Sequence, residues 1–229
     1  MPLPAALLGS SGTLQLVDKN AHQLWPILDD ECRAGVLRVL DRGVLSGSFA
    51  PESMAFQEEF ADFVGAQHAL LTHSGTSALV MALAAAGVGP GDEVIVPAYT
   101  FVATPLAVTA CGGTPIFADV DPATGNMTVA ETRRWLSPRT RAIMPVHVHG
   151  NPFDVDEFLA LSREIGAELV EDAAQAHGAT YKNRKVGALG KGGGFSLQSS
   201  KNLGAGEGGV YVSNDADQAE PANQIRNFG

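Results

Sequence analysis

Lys201, Asp172, Gln175, His147, His149 and the run Tyr99-Thr100-Phe101 each stand just after a short apolar run that reads as a strand. In open α/β sheets ligands sit beyond the carboxyl ends of the strands, so these groups belong on one rim. A helix opening at Gly75 joins them. Its start, Ser74-Gly75-Thr76-Ser77, offers small residues and hydroxyls but no carboxylate to complement the dipole, so its free N–H groups form an anion site. Taken alone, Ser74 could equally be a plain helix cap. A lysine, a carboxylate, an aromatic face and a helix N-terminus together suit a flat, phosphorylated, cationic heterocycle, and pyridoxal phosphate is such a molecule. Its chemistry needs each group. The lysine amine forms a Schiff base with the aldehyde, and the carboxylate keeps the pyridine nitrogen protonated as an electron sink. Donors hold the phosphate, and a planar side chain fixes the tilt of the ring.

The elements that must position these groups follow from the pattern. After a helical stretch around Leu24–Arg42, strand candidates fall at Glu93–Pro97, Pro115–Ala118, Arg141–Val148, Glu168–Glu171, Gly194–Leu197 and Gly209–Ser213. Helices are expected at Thr104–Cys111, Val129–Leu136 and Val155–Ile165, between the first four strands. Near-continuous apolar strands alternating with helices predict a three-layer α/β/α domain with a mostly parallel central sheet. The body of the Gly75 helix, Ala78 to Ala86, is apolar all round and is expected to be buried, with Gly87 as its stop.

Composition narrows the partners. With 229 residues and 45% hydrophobic content the chain can fill one substantial core. Twenty-five acids against fifteen Lys plus Arg give a formal charge of −10, which repels nucleic acid and anionic membranes. Cys32 and Cys111 lie far apart with no CxxC companion, the pattern of a reduced cytoplasmic chain. The start, Met1 to Leu8, lacks the basic segment of a secretory signal, and the longest apolar run, Ala78 to Val88, is too short to span a membrane.

Other patterns have duller readings. His147-x-His149 is spaced like a metal pair on one strand face, but no third ligand follows at plausible spacing, so no metal is expected. Gly204-x-Gly206-x-x-Gly209 fits the dinucleotide pattern but leads into a strand rather than a helix, so a pyrophosphate would find no helix end there.

Four ordered segments carry a family resemblance: Ser74-Gly75-Thr76-Ser77-Ala78-Leu79, Val96-Pro97-Ala98-Tyr99-Thr100-Phe101, Glu171-Asp172-Ala173-Ala174-Gln175-Ala176-His177-Gly178, and Ser196-Leu197-Gln198-Ser199-Ser200-Lys201-Asn202-Leu203. With Leu45-Ser46-Gly47 and Pro145-Val146-His147, they make the chain from about Trp25 to Gly229 resemble the DegT/DnrJ/EryC1/StrS family of pyridoxal-phosphate-dependent sugar aminotransferases of fold type I. The resemblance implies Lys201 as the Schiff-base lysine, with Asp172 as the pyridinium partner. It further implies Gln175 near the ring hydroxyl and Phe101 stacked on the ring, with Gly75, Thr76 and Ser196 at the phosphate. It implies transfer of an amino group from glutamate or glutamine to a keto-sugar nucleotide or keto-cyclitol in a homodimer. Residues 1–45 would be an N-terminal helical segment and 46–229 the cofactor-binding large domain, with the family's smaller C-terminal domain absent from this chain. Two alternatives stand beside this: a pyridoxamine-dependent sugar dehydratase, against which Lys201 counts, and an inactive fragment that keeps the fold.

Overall fold

A computed structural model describes residues 26–47 and 49–227. Trp25 and the preceding part of the expected N-terminal helical segment, together with Phe228-Gly229, lie outside the described residues. In chain order the elements are α1 (Asp30–Arg42), α2 (Pro51–Val64), β1 (His68–Thr72), α3 (Gly75–Ala85), β2 (Glu93–Pro97) and α4 (Ala103–Ala110). Then come β3 (Thr114–Ala118), α5 (Val129–Arg133), β4 (Thr140–Ile143), α6 (Val155–Ile165) and β5 (Glu168–Asp172). The small hairpin β6 (Thr180–Tyr181) and β7 (Arg184–Lys185) precedes β8 (Gly192–Ser196), β9 (Gly209–Ser213) and α7 (Ala216–Asn227).

One seven-stranded sheet has the order β1-β9-β8-β5-β4-β2-β3. Strands β8, β5, β4, β2 and β3 run parallel. Strand β9 is antiparallel to both of its neighbours, β1 and β8. The alternation of strand side chains then divides the core. Val94 and Val96 of β2 and Val170 of β5 pack with α3 and α4, while Ile95 and Leu169 pack against α6 on the other face. Val210 and Val212 of β9 meet α2 through Phe60 and Val64. Helices therefore cover both faces, and the three-layer α/β/α architecture with a mostly parallel sheet is the one observed.

The central helix α3 is apolar for a structural reason. It packs directly on β8, where Gly194 carries no side chain: a Cβ there would lie 2.9 Å from Leu79 Cδ2 and 3.1 Å from the Leu79 nitrogen. Small residues on the strand let the helix settle against the backbone, and this fixes where its N-terminus ends up. The helix stops as expected, with Gly87 in the left-handed region at φ 78°.

The expected strand Arg141–Val148 is cut short. β4 ends at Ile143, and the chain makes only an isolated bridge from Val146 to Asp172 before a 3-10 turn at Val148–Gly150. Pro145 has no N–H to extend the ladder. His149 consequently sits at φ 52° in that turn rather than at a strand end. The elements without an expectation from sequence are α2, β1, β6, β7 and α7; β1 forms the sheet edge beside β9, and α2 packs on that end of the sheet. Among the described residues no helix is long and apolar enough to cross a membrane.

Candidate active site

Asp172 ends β5 and is 4% exposed. It leaves the sheet on the same face as Val170, toward α3 and α4. Its Oδ2 accepts the Thr104 hydroxyl at 2.7 Å and its Oδ1 accepts the Ala174 N–H at 3.1 Å. Burial pushes the carboxyl upward from its ordinary range, and the Thr104 hydroxyl, the Ala174 N–H and the charges of His147 and Lys201 pull against that shift. A cation entering the space before Asp172 would oppose the same burial effect.

That space is a cavity of about 410 Å³. Gly75, Thr76, Phe101 and Asp172 line it, and so do Gln175, Ser196 and Lys201. Every residue expected from the sequence to hold a cofactor therefore faces one hollow. A larger hollow of about 760 Å³, between α2, α3 and α7, contains none of them.

The start of α3 forms another part of the cavity wall. Ser74 Oγ accepts the Ser77 N–H at 3.1 Å, and the Ser74 carbonyl accepts the Ala78 N–H. The Ser74 cap is therefore observed, and the N–H groups of Gly75 and Thr76 have no acceptor inside the helix. Gly75 is needed here for clearance: a Cβ would stand 2.7 Å from the Cβ of Ser196. Ser196, at the end of β8, brings its hydroxyl to the same corner, where it accepts the Gln198 N–H at 3.4 Å. A helix terminus and a hydroxyl at that corner fit a phosphate.

Lys201 lies in the loop joining the antiparallel neighbours β8 and β9. Main-chain bonds from Leu197 to Gly208 and from Ser199 to Gly206 zip the base of this loop, and the Lys201 N–H donates to the Gln198 carbonyl at 2.8 Å. The lysine is held at a defined place on the rim rather than on a free arm. Gln175 turns its Oε1 to the His149 N–H at 2.9 Å. Phe101 lines the cavity from the β2–α4 connection, but 65% of it remains exposed.

The two histidines that could have formed a metal pair go separate ways. His147 is fully buried and meets Glu171 Oε2 at 3.0 Å, whereas His149 Nε2 meets the Tyr99 hydroxyl at 3.2 Å. Among the described residues no cluster of three or more His, Cys, Asp or Glu could hold a metal ion. Two contributors were not anticipated. Thr104, whose hydroxyl also meets Thr100 Oγ1 at 2.6 Å, sits one turn after Thr100 at the start of α4, a spacing that the sequence does display. Glu207 lines the cavity from the lysine loop, with no local signal for its direction.

These features have parallels. The model of the DegT/DnrJ/EryC1/StrS aminotransferase family matches residues 26–229. GDP-perosamine synthase of Caulobacter vibrioides is 43% identical over 206 residues, covering 89% of this chain and 55% of that protein. The dTDP-3-amino-3,4,6-trideoxy-alpha-D-glucose transaminase of Streptomyces venezuelae is 44% identical over 203 residues, covering 87% of this chain and 52% of the relative. The crystal structure of an aminotransferase from Psychrobacter cryohalolentis superposes with a TM-score of 0.84 at 39% identity, covering 86% of this chain and 50% of that one. The chain spans about half the length of the curated relatives it matches.

Proposed function

Since the chain belongs to the DegT/DnrJ/EryC1/StrS aminotransferase family, we propose that it is the cofactor-binding part of a sugar aminotransferase that uses pyridoxal phosphate. The observation that carries this reading is the meeting of Lys201, Asp172 and the start of α3 on one cavity. Bound there, pyridoxal phosphate would supply an aldehyde for the Lys201 amine and an electron-withdrawing pyridinium ring. Asp172 would face the ring nitrogen and hold its proton in place, with Thr104 fixing the carboxylate. The N–H groups of Gly75 and Thr76 and the Ser196 hydroxyl would bind the phosphate. Phe101 would cover one face of the ring and exclude water, and Gln175 would orient the ring hydroxyl. Lys201 Nζ, once free, would move a proton between the substrate carbon and the cofactor carbon as a general acid–base.

The donor in this reading is glutamate or glutamine and the acceptor a keto-sugar nucleotide or keto-cyclitol, supported by the sugar-modifying relatives. Residues 46–229 would form the cofactor-binding domain, with α1 belonging to the N-terminal helical segment before it. Tyr99, Phe101, Val102 and Leu106, in and after the β2–α4 connection that carries the cavity-lining Phe101, are each at least half exposed, which supports a homodimer. The reduced cysteines and the net negative charge suit the cytoplasm.

The test is direct. Pyridoxal phosphate added to the purified chain should give a visible band that borohydride fixes covalently, and Lys201→Ala should abolish the fixed adduct. An unchanged adduct in that variant refutes the lysine assignment. Bleaching of the band by glutamate or glutamine supports transamination over an inactive fold.

A further inference from the structure

Glu171 and His147 are buried titratable groups to which the reading above gives no task. Both side chains are fully buried, and they meet at 3.0 Å on the face of β5 opposite to Asp172. Glu171 is unusually well held. Its Oε2 also accepts the Gly187 N–H at 2.8 Å, and its Oε1 accepts those of Leu189 at 2.5 Å and Gly190 at 2.7 Å. Burial alone would push this carboxyl up, but the His147 ring and the N–H groups of Gly190 and Gly187 outweigh it and keep it below the ordinary glutamate range. A carboxylate with that many donors fixes the loop 187–190 to the strand end.

His147 closes the arrangement. Its ring stacks on Phe153 at 4.3 Å and 11°, which sets the plane of the imidazole. Its main-chain N–H donates to the Asp172 carbonyl at 3.1 Å, and the Asp172 N–H donates to the Pro145 carbonyl at 3.1 Å. The same residue therefore grips the Asp172 main chain with its backbone and Glu171 with its side chain. The titratable groups that act on the Asp172 carboxyl are His147, from behind the sheet, and Lys201, which lines the same cavity.

We propose that the buried Glu171–His147 pair is the positioning device for Asp172, locking the strand end from which that carboxylate enters the cavity and placing a compensated charge behind it. The proposal rests on reading Asp172 as the group that faces the ring nitrogen of pyridoxal phosphate.

The experiment is a double-mutant cycle on the full chain with Glu171→Gln, His147→Gln and both together, read by circular dichroism, pyridoxal phosphate titration and the pH midpoint of the visible band. Each folded single variant should weaken cofactor binding about tenfold, the scale of losing one buried charged contact, and should move the midpoint. The double variant should be no worse than the worse single. Folded variants with unchanged affinity and midpoint, or effects that simply add, overturn the proposal. Should these variants fail to fold, Phe153→Leu loosens the ring stack while keeping both side chains of the pair; it should move the midpoint away from the wild-type value, and an unmoved midpoint overturns the proposal. Asp172→Asn in the same assay separates the two levels. If that variant behaves as wild type, the reading of Asp172 itself falls; if it disrupts the band while the pair variants do not, only the positioning role falls.

Discussion

The Thr104 hydroxyl lies 2.7 Å from Asp172 Oδ2 inside the protein, joining the first turn of α4 to the end of β5. A hydrogen bond to a buried carboxylate stabilises the charged form by about 1.5–3 kcal/mol. Thr104→Val keeps the shape and removes the donor. Pyridoxal phosphate titration of this variant should show about tenfold weaker binding or more, whereas wild-type affinity would show that the hydroxyl does not support the ionised carboxylate.

Asp172 itself should destabilise the cofactor-free fold. Its folded pKa is raised by burial, so its contribution to stability is fullest below the ordinary value of 3.8 and is lost as pH rises through the folded value. Asp172→Asn removes the charge and keeps the size. Thermal melts without cofactor should find the Asn variant more stable than wild type at neutral pH, with the gap narrowing toward acid. A variant less stable at every pH would contradict the burial argument.

Gly75 and Ser196 leave no room for a methyl group between them. Overpacking of this kind costs about 1–3 kcal/mol, and the shift falls on the corner assigned to the phosphate. Gly75→Ala should therefore weaken pyridoxal phosphate about ten- to a hundredfold while binding of pyridoxal, which has no phosphate, changes less. Equal losses for both ligands would move the phosphate elsewhere.

Ser74 caps α3 through the Ser77 N–H. Ser74→Ala should lower stability by about 1 kcal/mol in urea unfolding, the usual worth of such a cap. No change would mean that the helix start is held by packing on β8 alone.

Much of the site could be read from residue types because strand ends and a helix start carry their own signals. Glu93–Pro97 is observed with the expected bounds, and the Gly75 helix opens where its uncharged first turn suggested. The β4 region failed for a local reason, since Pro145 interrupts a run that looks uniformly apolar. Helix α2 does carry ordinary helix punctuation, Pro51 in its first turn and Gly65 at its end with φ 72°, but these signals alone do not separate it from a turn-rich stretch. Glu171 and Asp172 show the deeper limit. They are adjacent in sequence, and only the pleat assigns one to the cavity and the other to the loop 187–190 behind it.

The pairing of β1 with β9 bears on how the chain matures. Among the described residues His68–Thr72 finds its one sheet neighbour in Gly209–Ser213, so a ribosome must emit nearly all of the described sequence before that edge can zip. Until then α3 lacks the strands it rests on, and vitamin B6 would meet no assembled pocket on the nascent chain. Such distant pairing slows folding and leaves sticky intermediates waiting, so growth at lower temperature should raise the soluble yield.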